Sequence, residues 1–173
     1  AFSDRLVSVV LYGSAAVGDY TKYSDLNILC VLTRLTPVEM KEAEPIFRWW
    51  REQGNPSPVL LTEEEVRNGT HCFAIEFHDM KDRHRILAGA DVIAPLELDD
   101  SFYRMQVEHE LRAKLLRLRQ KAAGLLSDKD HLRRLMVDSV STFCVLFRHA
   151  LLLHGVNADP HKREVVARAR ELF

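Results

Sequence analysis

The chain has 173 residues, 47% of them hydrophobic and 28% charged, with a formal net charge of −1. That is enough for one large domain or two small ones with a normal core, and the near-zero balance argues against a dedicated duplex-DNA binder. The charge is uneven: residues 1–94 carry ten Lys and Arg against fourteen Asp and Glu, or −4, while residues 95–173 carry fourteen against eleven, or +3. The second half is therefore the one expected to face a polyanionic ligand.

No apolar run reads as long enough to cross a bilayer and no signal peptide opens the chain, so a cytoplasmic protein without a membrane partner is expected. The sequence opens at Ala1 without a methionine and closes at Phe173 inside a helical pattern, as a piece of a longer protein would. Cys30, Cys72 and Cys144 are odd in number, far apart and set in apolar segments. They are expected to be buried free thiols in a reducing compartment, with no zinc or redox pair.

In chain order, Leu6–Tyr12 is apolar and β-branched and reads as a strand. Gly13 ends it, and Ser14 is placed to cap a short helix through Val17. Leu26–Leu32 is almost continuously apolar and reads as a strand buried on both faces. Thr36-Pro37 starts a helix with Met40, Ala43, Phe47 and Trp50 on one stripe, which Pro45 should kink or shorten. After the turn cluster at Gly54–Pro58 comes a short strand, Val59–Leu61, and then the capping-box pattern Thr62-Glu-Glu-Glu65. Cys72–Phe77 alternates enough to read as a half-exposed strand. Residues 83–94 read as strand or loop, with Ile86, Leu87, Val92 and Ile93 inward.

The period then changes. Asp99-Asp100-Ser101 reads as the cap of a long helix to about Leu126, with a stripe of Leu111, Leu115, Leu118, Ala122 and Leu125. Ser127–Asp130 reads as a break and a new cap, followed by a helix to His154 with Gly155 at its C′ position. His149 and His154 then read as cations at that helix's C-terminal end. Asp159-Pro160 reads as the cap of a third helix. The organisation expected is an α/β module over residues 1–96 and an antiparallel helical bundle over residues 97–173.

The chemistry concentrates in the first module. Glycine at a strand end lets backbone approach phosphate oxygens, Ser14 adds a hydroxyl, and a helix N-terminus there favours anions. Asp25 is a carboxylate suited to Mg²⁺, which takes oxygen ligands and shares them with phosphates. Asn27, two residues on, is expected on the same strand face. Glu76, with Asp79 as its rival, is the further carboxylate that could ligate metal or accept a proton. In the second half Arg112 is the basic side chain chosen to reach a triphosphate.

Gly13-Ser14 after a strand, followed about ten residues later by Ser24-Asp25-Leu26-Asn27 on the next, resembles the nucleotidyltransferase superfamily. That superfamily includes DNA polymerase β-like enzymes and the small aminoglycoside nucleotidyltransferases. The resemblance covers about residues 6–80, with Asp-x-Asn in place of Asp-x-Asp. It implies an α+β fold, a mixed sheet with helices followed by the bundle, and transfer of an NMP, AMP by preference, from Mg-NTP to a hydroxyl acceptor. In that reading Asp25 and Glu76 are catalytic, and Gly13, Ser14, Ser24 and Arg112 bind the nucleotide. Asp25, Asn27 and Glu76 hold Mg²⁺. The acceptor is a small molecule or a protein, and a homodimer is left open. The alternative reading keeps the fold without catalysis, as a nucleotide-sensing or protein-interaction module, because Asn27 adds no negative charge.

Overall fold

A computed structural model describes residues 2–18, 25–157 and 161–173. The chain divides into two compact units, Ala1–Asp100 and Ser101–Phe173. Ser24 and the Asp159-Pro160 cap lie outside the described residues.

The first unit is built on a four-stranded mixed sheet, β1 (Leu6–Tyr12), β2 (Asn27–Leu32), β3 (Val59–Thr62) and β4 (His84–Gly89), in the order β3-β2-β1-β4. β1 pairs antiparallel with both β2 and β4, and β2 pairs parallel with β3. The two faces of β2 go to different cores, as its continuous apolar run requires. Leu29 and Val31 pack with Val10, Phe77 and Met80. Leu32, on the opposite face, packs with Phe2, Ala43 and Phe47.

Helix α1 (Pro37–Glu52) begins at an N-cap on Thr36 with proline at its first position and a complete capping box to Glu39. It runs unbroken through Pro45. That proline is exposed, so the carbonyl it leaves without an amide donor can turn to water. Met40, expected on the inner stripe, is exposed, and the carboxylate of Glu39 is buried instead. Arg5 donates to Glu39 at 2.6 Å and to Glu42 at 2.6 Å, and Arg34 donates to Glu39 at 3.3 Å. Glu39 therefore shares the inward face of α1 with Ala43 and Phe47, in the place expected for Met40. The second capping box, Thr62 with Glu65, opens the short helix α2 (Glu63–Asn68).

Residues 72–77 are not a strand. Helix α3 (Ala74–Asp82) occupies this stretch, with Ala74, Phe77 and Met80 buried at a spacing of three. That spacing makes one helical stripe, and reading Cys72–Phe77 by itself hides it because Met80 falls outside the window. Cys72 is consequently exposed rather than buried, whereas Cys30 and Cys144 are buried. In β4, Ile86 is partly buried in the sheet core, but Leu87 points outward and is exposed.

The second unit contains α4 (Tyr103–Ala123), α5 (Lys129–Leu153) and α6 (Lys162–Leu172). A short turn joins α4 to α5 as antiparallel neighbours, with burial at the start of α4 (Tyr103, Val107) and the end of α5 (Cys144, Leu146, Leu151). α4 has Phe102 at its N-cap with no side-chain bond, so the acidic stretch 99–101 does not cap it. Leu115 of the expected stripe is exposed. Asp128 caps α5 by accepting from the His131 amide, and Gly155 takes a φ of 71° just beyond its end. His149 is fully buried and its Nδ1 meets the Tyr103 hydroxyl at 2.6 Å, so it is packed inside the unit rather than exposed at the helix end. α5 is also long and apolar enough to cross a membrane, with mean hydropathy 1.4 over its best window, contrary to the sequence reading. Its Cys144 and Leu151 pack with Val165 of α6 in the core of this unit.

Candidate functional site

The site candidates gather where β1 ends and β2 begins, which antiparallel pairing puts at one end of the two central strands. Tyr12 is opposite Asn27 on one side and His84 on the other. Directly opposed residues share a face, so the three side chains line the α3 side of the sheet.

Gly13 follows with φ 80° and ψ −156°, a conformation that is essentially glycine-only. Its amide donates to the carbonyl of Arg83 at 3.0 Å and its own carbonyl accepts from Ala16. The Gly13 N–H is therefore spent on the start of β4 and is not offered to a ligand. A Cβ at Gly13 would stand 3.3 Å from the Asn27 Nδ2, so the Asn27 amide faces the space that a side chain at Gly13 would fill. Ser14 is the first residue of a 3-10 turn, Ser14–Val17, and not its cap. The amides of Ser14 and Ala15 open that turn, where no preceding turn carbonyl can accept from them.

Asp25 is exposed and stands two residues before β2, which starts at Asn27. It belongs to the approach to the strand and not to the strand. Glu76 sits on α3, exposed on the side away from the Phe77–Met80 stripe. The expectation that a neighbouring strand carries it is overturned, because apolar spacing made this segment helical. Its charge nevertheless reaches β1. The Tyr12 phenol is held above its usual range first by burial and then by Glu76. Asp79, the rival acid, lies one turn further along α3, and its carbonyl accepts the Arg83 amide at 3.0 Å.

The structure thus brings Gly13, Ser14, Tyr12 and Asn27 together, with Glu76 within electrostatic reach. Among the described residues no three His, Cys, Asp or Glu side chains form a metal-binding group. The oxygen donors present are the Asp25 and Glu76 carboxylates and the Asn27 amide. Their chemistry suits Mg²⁺, which is commonly held by one or two carboxylates together with substrate phosphates and water. Sequence reasoning set His84 beside the presumed cleft strand without a partner and did not single out Tyr12. Tyr12 precedes Gly13-Ser14 directly, but only the strand register shows that it stands between Asn27 and His84.

Arg112 belongs to the helical unit. It is exposed on α4 and paired with Glu108 at 2.7 Å, and both line a cavity of that unit.

Residues 1–86 match the family model described as nucleotidyltransferase domain. No curated protein sequence matches the chain. Among solved structures the chain is similar to a spectinomycin adenyltransferase from Enterococcus faecialis, solved with ATP and spectinomycin. The two share 13% identity at a TM-score of 0.54, over 98% of this chain and 83% of that one. At such identity the likeness is one of fold, the α+β arrangement of mixed sheet and following helices. With the family match over residues 1–86, the chain belongs to the nucleotidyltransferase superfamily through its N-terminal unit.

Proposed function

We propose that the protein transfers an NMP, AMP by preference, from an NTP to a hydroxyl on a small-molecule or protein acceptor. The observation that carries this reading is the glycine-only turn at Gly13, with the Asn27 amide facing the space a side chain there would fill, at the end of β1 in a unit whose residues 1–86 match a nucleotidyltransferase domain. The adenyltransferase of similar fold, solved with ATP and spectinomycin, supports the choice of nucleotide and of a small-molecule acceptor.

Ser14 would bind the phosphates through its hydroxyl and the amides that open the 3-10 turn. Ser24 would bind the nucleotide with it. Asp25, with the Asn27 amide oxygen and Glu76, would hold Mg²⁺, which when bound neutralises charge on the triphosphate. Glu76 would also accept the proton of the acceptor hydroxyl. The acceptor oxygen then bonds to the α-phosphorus as the bond to the bridging oxygen of the β-phosphate breaks, and pyrophosphate leaves. Arg112, singled out from the sequence for the triphosphate, is held by Glu108, and the reading does not depend on it. We place the protein in the cytoplasm, a reading supported by its three free thiols.

Calorimetric titration of the four NTPs, with and without Mg²⁺, tests the reading on wild type and Asp25→Ala. Mg-dependent binding of ATP that disappears in the variant is expected. Equal binding by both proteins removes the assignment of Asp25, and no binding of any NTP removes the nucleotide reading.

Asn27 favours a second reading, the same fold retained without catalysis, because its amide supplies an oxygen but no charge. Asn27→Asp separates the two. A protein inactive as wild type that gains NMP transfer in this variant is a decayed enzyme. A wild type already active, with turnover unchanged by the substitution, excludes the second reading.

A further inference from the structure

The helical unit contains a cavity of about 430 Å³ between α4, the end of α5 and Phe173, within the size range of small-molecule pockets. Its floor is apolar, formed by Val107, Leu111, Phe147 and Leu153, and Val107 is buried. One side is a single stripe of α4, with Arg104, Glu108 and Arg112 four residues apart. Glu108 is the only carboxylate on that stripe, and Arg112 neutralises it through contacts of 2.7 and 2.8 Å. Arg104 has no ion-pair or hydrogen-bond partner among the described residues. His154 also lines the cavity, its ring edge-on to Phe173, at 5.3 Å between centroids. The lining therefore presents an apolar floor and one guanidinium in excess.

We propose that this cavity binds a small amphipathic monoanion, an apolar body carrying a single carboxylate or sulfonate, with the acid on Arg104 and the body on the Val107–Leu153 floor. A planar carboxylate matches the guanidinium fork in two parallel hydrogen bonds. A neutral analogue keeps the apolar contact and loses those bonds. A cationic analogue meets Arg104 as a like charge. The inference stands on the helical unit by itself and does not depend on the nucleotide reading.

Three probes with one aromatic body test it: 2-naphthoate, 2-naphthylmethanol and 2-naphthylmethylamine, titrated calorimetrically into wild type, Arg104→Gln and Arg104→Glu. Arg104 is exposed, so both variants should keep the fold, which circular dichroism checks. In wild type 2-naphthoate is expected to bind with one-to-one stoichiometry, about tenfold tighter than the alcohol, as a charge-assisted pair should. Arg104→Gln should erase that preference, and Arg104→Glu should reverse it in favour of the amine. No saturable binding of 2-naphthoate at millimolar concentration overturns the proposal. Equal binding of acid and alcohol by wild type does the same, as does a preference that survives Arg104→Gln.

Discussion

β1 has a polar cluster at each end, and the two are built on opposite principles. At its start, the Glu39 carboxylate is fully buried and saturated: Thr36, Arg5 and Arg34 all donate to it. These contacts, led by the Thr36 side chain, pull its pKa from 4.5 down to about 2. At the other end, Asp25 and Glu76 are exposed carboxylates, and the backbone is held in a conformation only glycine adopts easily. A saturated buried cluster has no valence left for a ligand, whereas exposed oxygens beside a strained turn do. The first arrangement serves the fold, and the second is the one that can serve a reaction.

The comparison predicts separable losses. Asp25→Ala should have the largest effect on NMP transfer. Losing several kcal/mol of charge stabilisation on the triphosphate amounts to roughly 10³-fold in rate. Its unfolding temperature should stay near wild type, because an exposed substitution away from packing changes stability little. A fall in stability parallel to the fall in rate would move Asp25 into the structural class. Glu76→Gln comes next, at about 10²-fold in transfer, the lower range for a general base. It carries a second readout independent of activity. Removing the Glu76 charge should lower the Tyr12 pKa, while burial keeps it above 10. Ultraviolet titration of the phenols reads this, and an unchanged Tyr12 titration would separate Glu76 from the end of β1.

The two carboxylates also differ in how far the sequence reveals them. Gly13, Ser14, Asp25 and Asn27 fall within fifteen consecutive residues, and the strand–turn–strand that positions them is written in local signals: an apolar run, a glycine and a second apolar run. Glu76 reaches the site only through tertiary packing. Its segment alternates over Cys72–Phe77, and the evidence for a helix is Ala74, Phe77 and Met80, spaced by three against the core. The identity of the residue could be guessed, but not the element that carries it. The row formed by Asn27, Tyr12 and His84 was hidden for a related reason, since only the register of β1 against β2 and β4 sets it. The same limit hid Glu39. The helix start at Thr36-Pro37 was legible, but the salt bridge from Arg5 to Glu39 spans 34 residues of chain.

Gly13→Ala sharpens the comparison from the backbone side. At φ 80° and ψ −156° a Cβ costs about 1–3 kcal/mol, and that atom would also crowd the Asn27 amide at 3.3 Å. Transfer should fall about tenfold, together with a loss of about 2–4 °C or more in unfolding temperature. This variant alone is expected to lower both quantities, because Gly13 belongs to the site and to the junction with β4. If Gly13→Ala is as stable as wild type, the turn must relax without strain, and the case for a rigid phosphate-facing loop fails.

Glu39→Gln should leave NMP transfer unchanged and lower stability at neutral pH. The sign of its pH dependence follows from the depressed pKa. The folded protein holds this proton only near pH 2, whereas the unfolded chain takes it up near 4.5. The contribution of the charged carboxylate is therefore complete above about pH 4.5. It is lost as pH falls from there toward 2, because the unfolded state binds the proton first. Urea midpoints of wild type and Glu39→Gln should differ most above pH 5 and converge as the acid is taken down to pH 2.5. A gap that stays constant over this range would mean that Glu39 acts through packing and the helix cap alone, and that the charge of the saturated cluster contributes nothing to the fold.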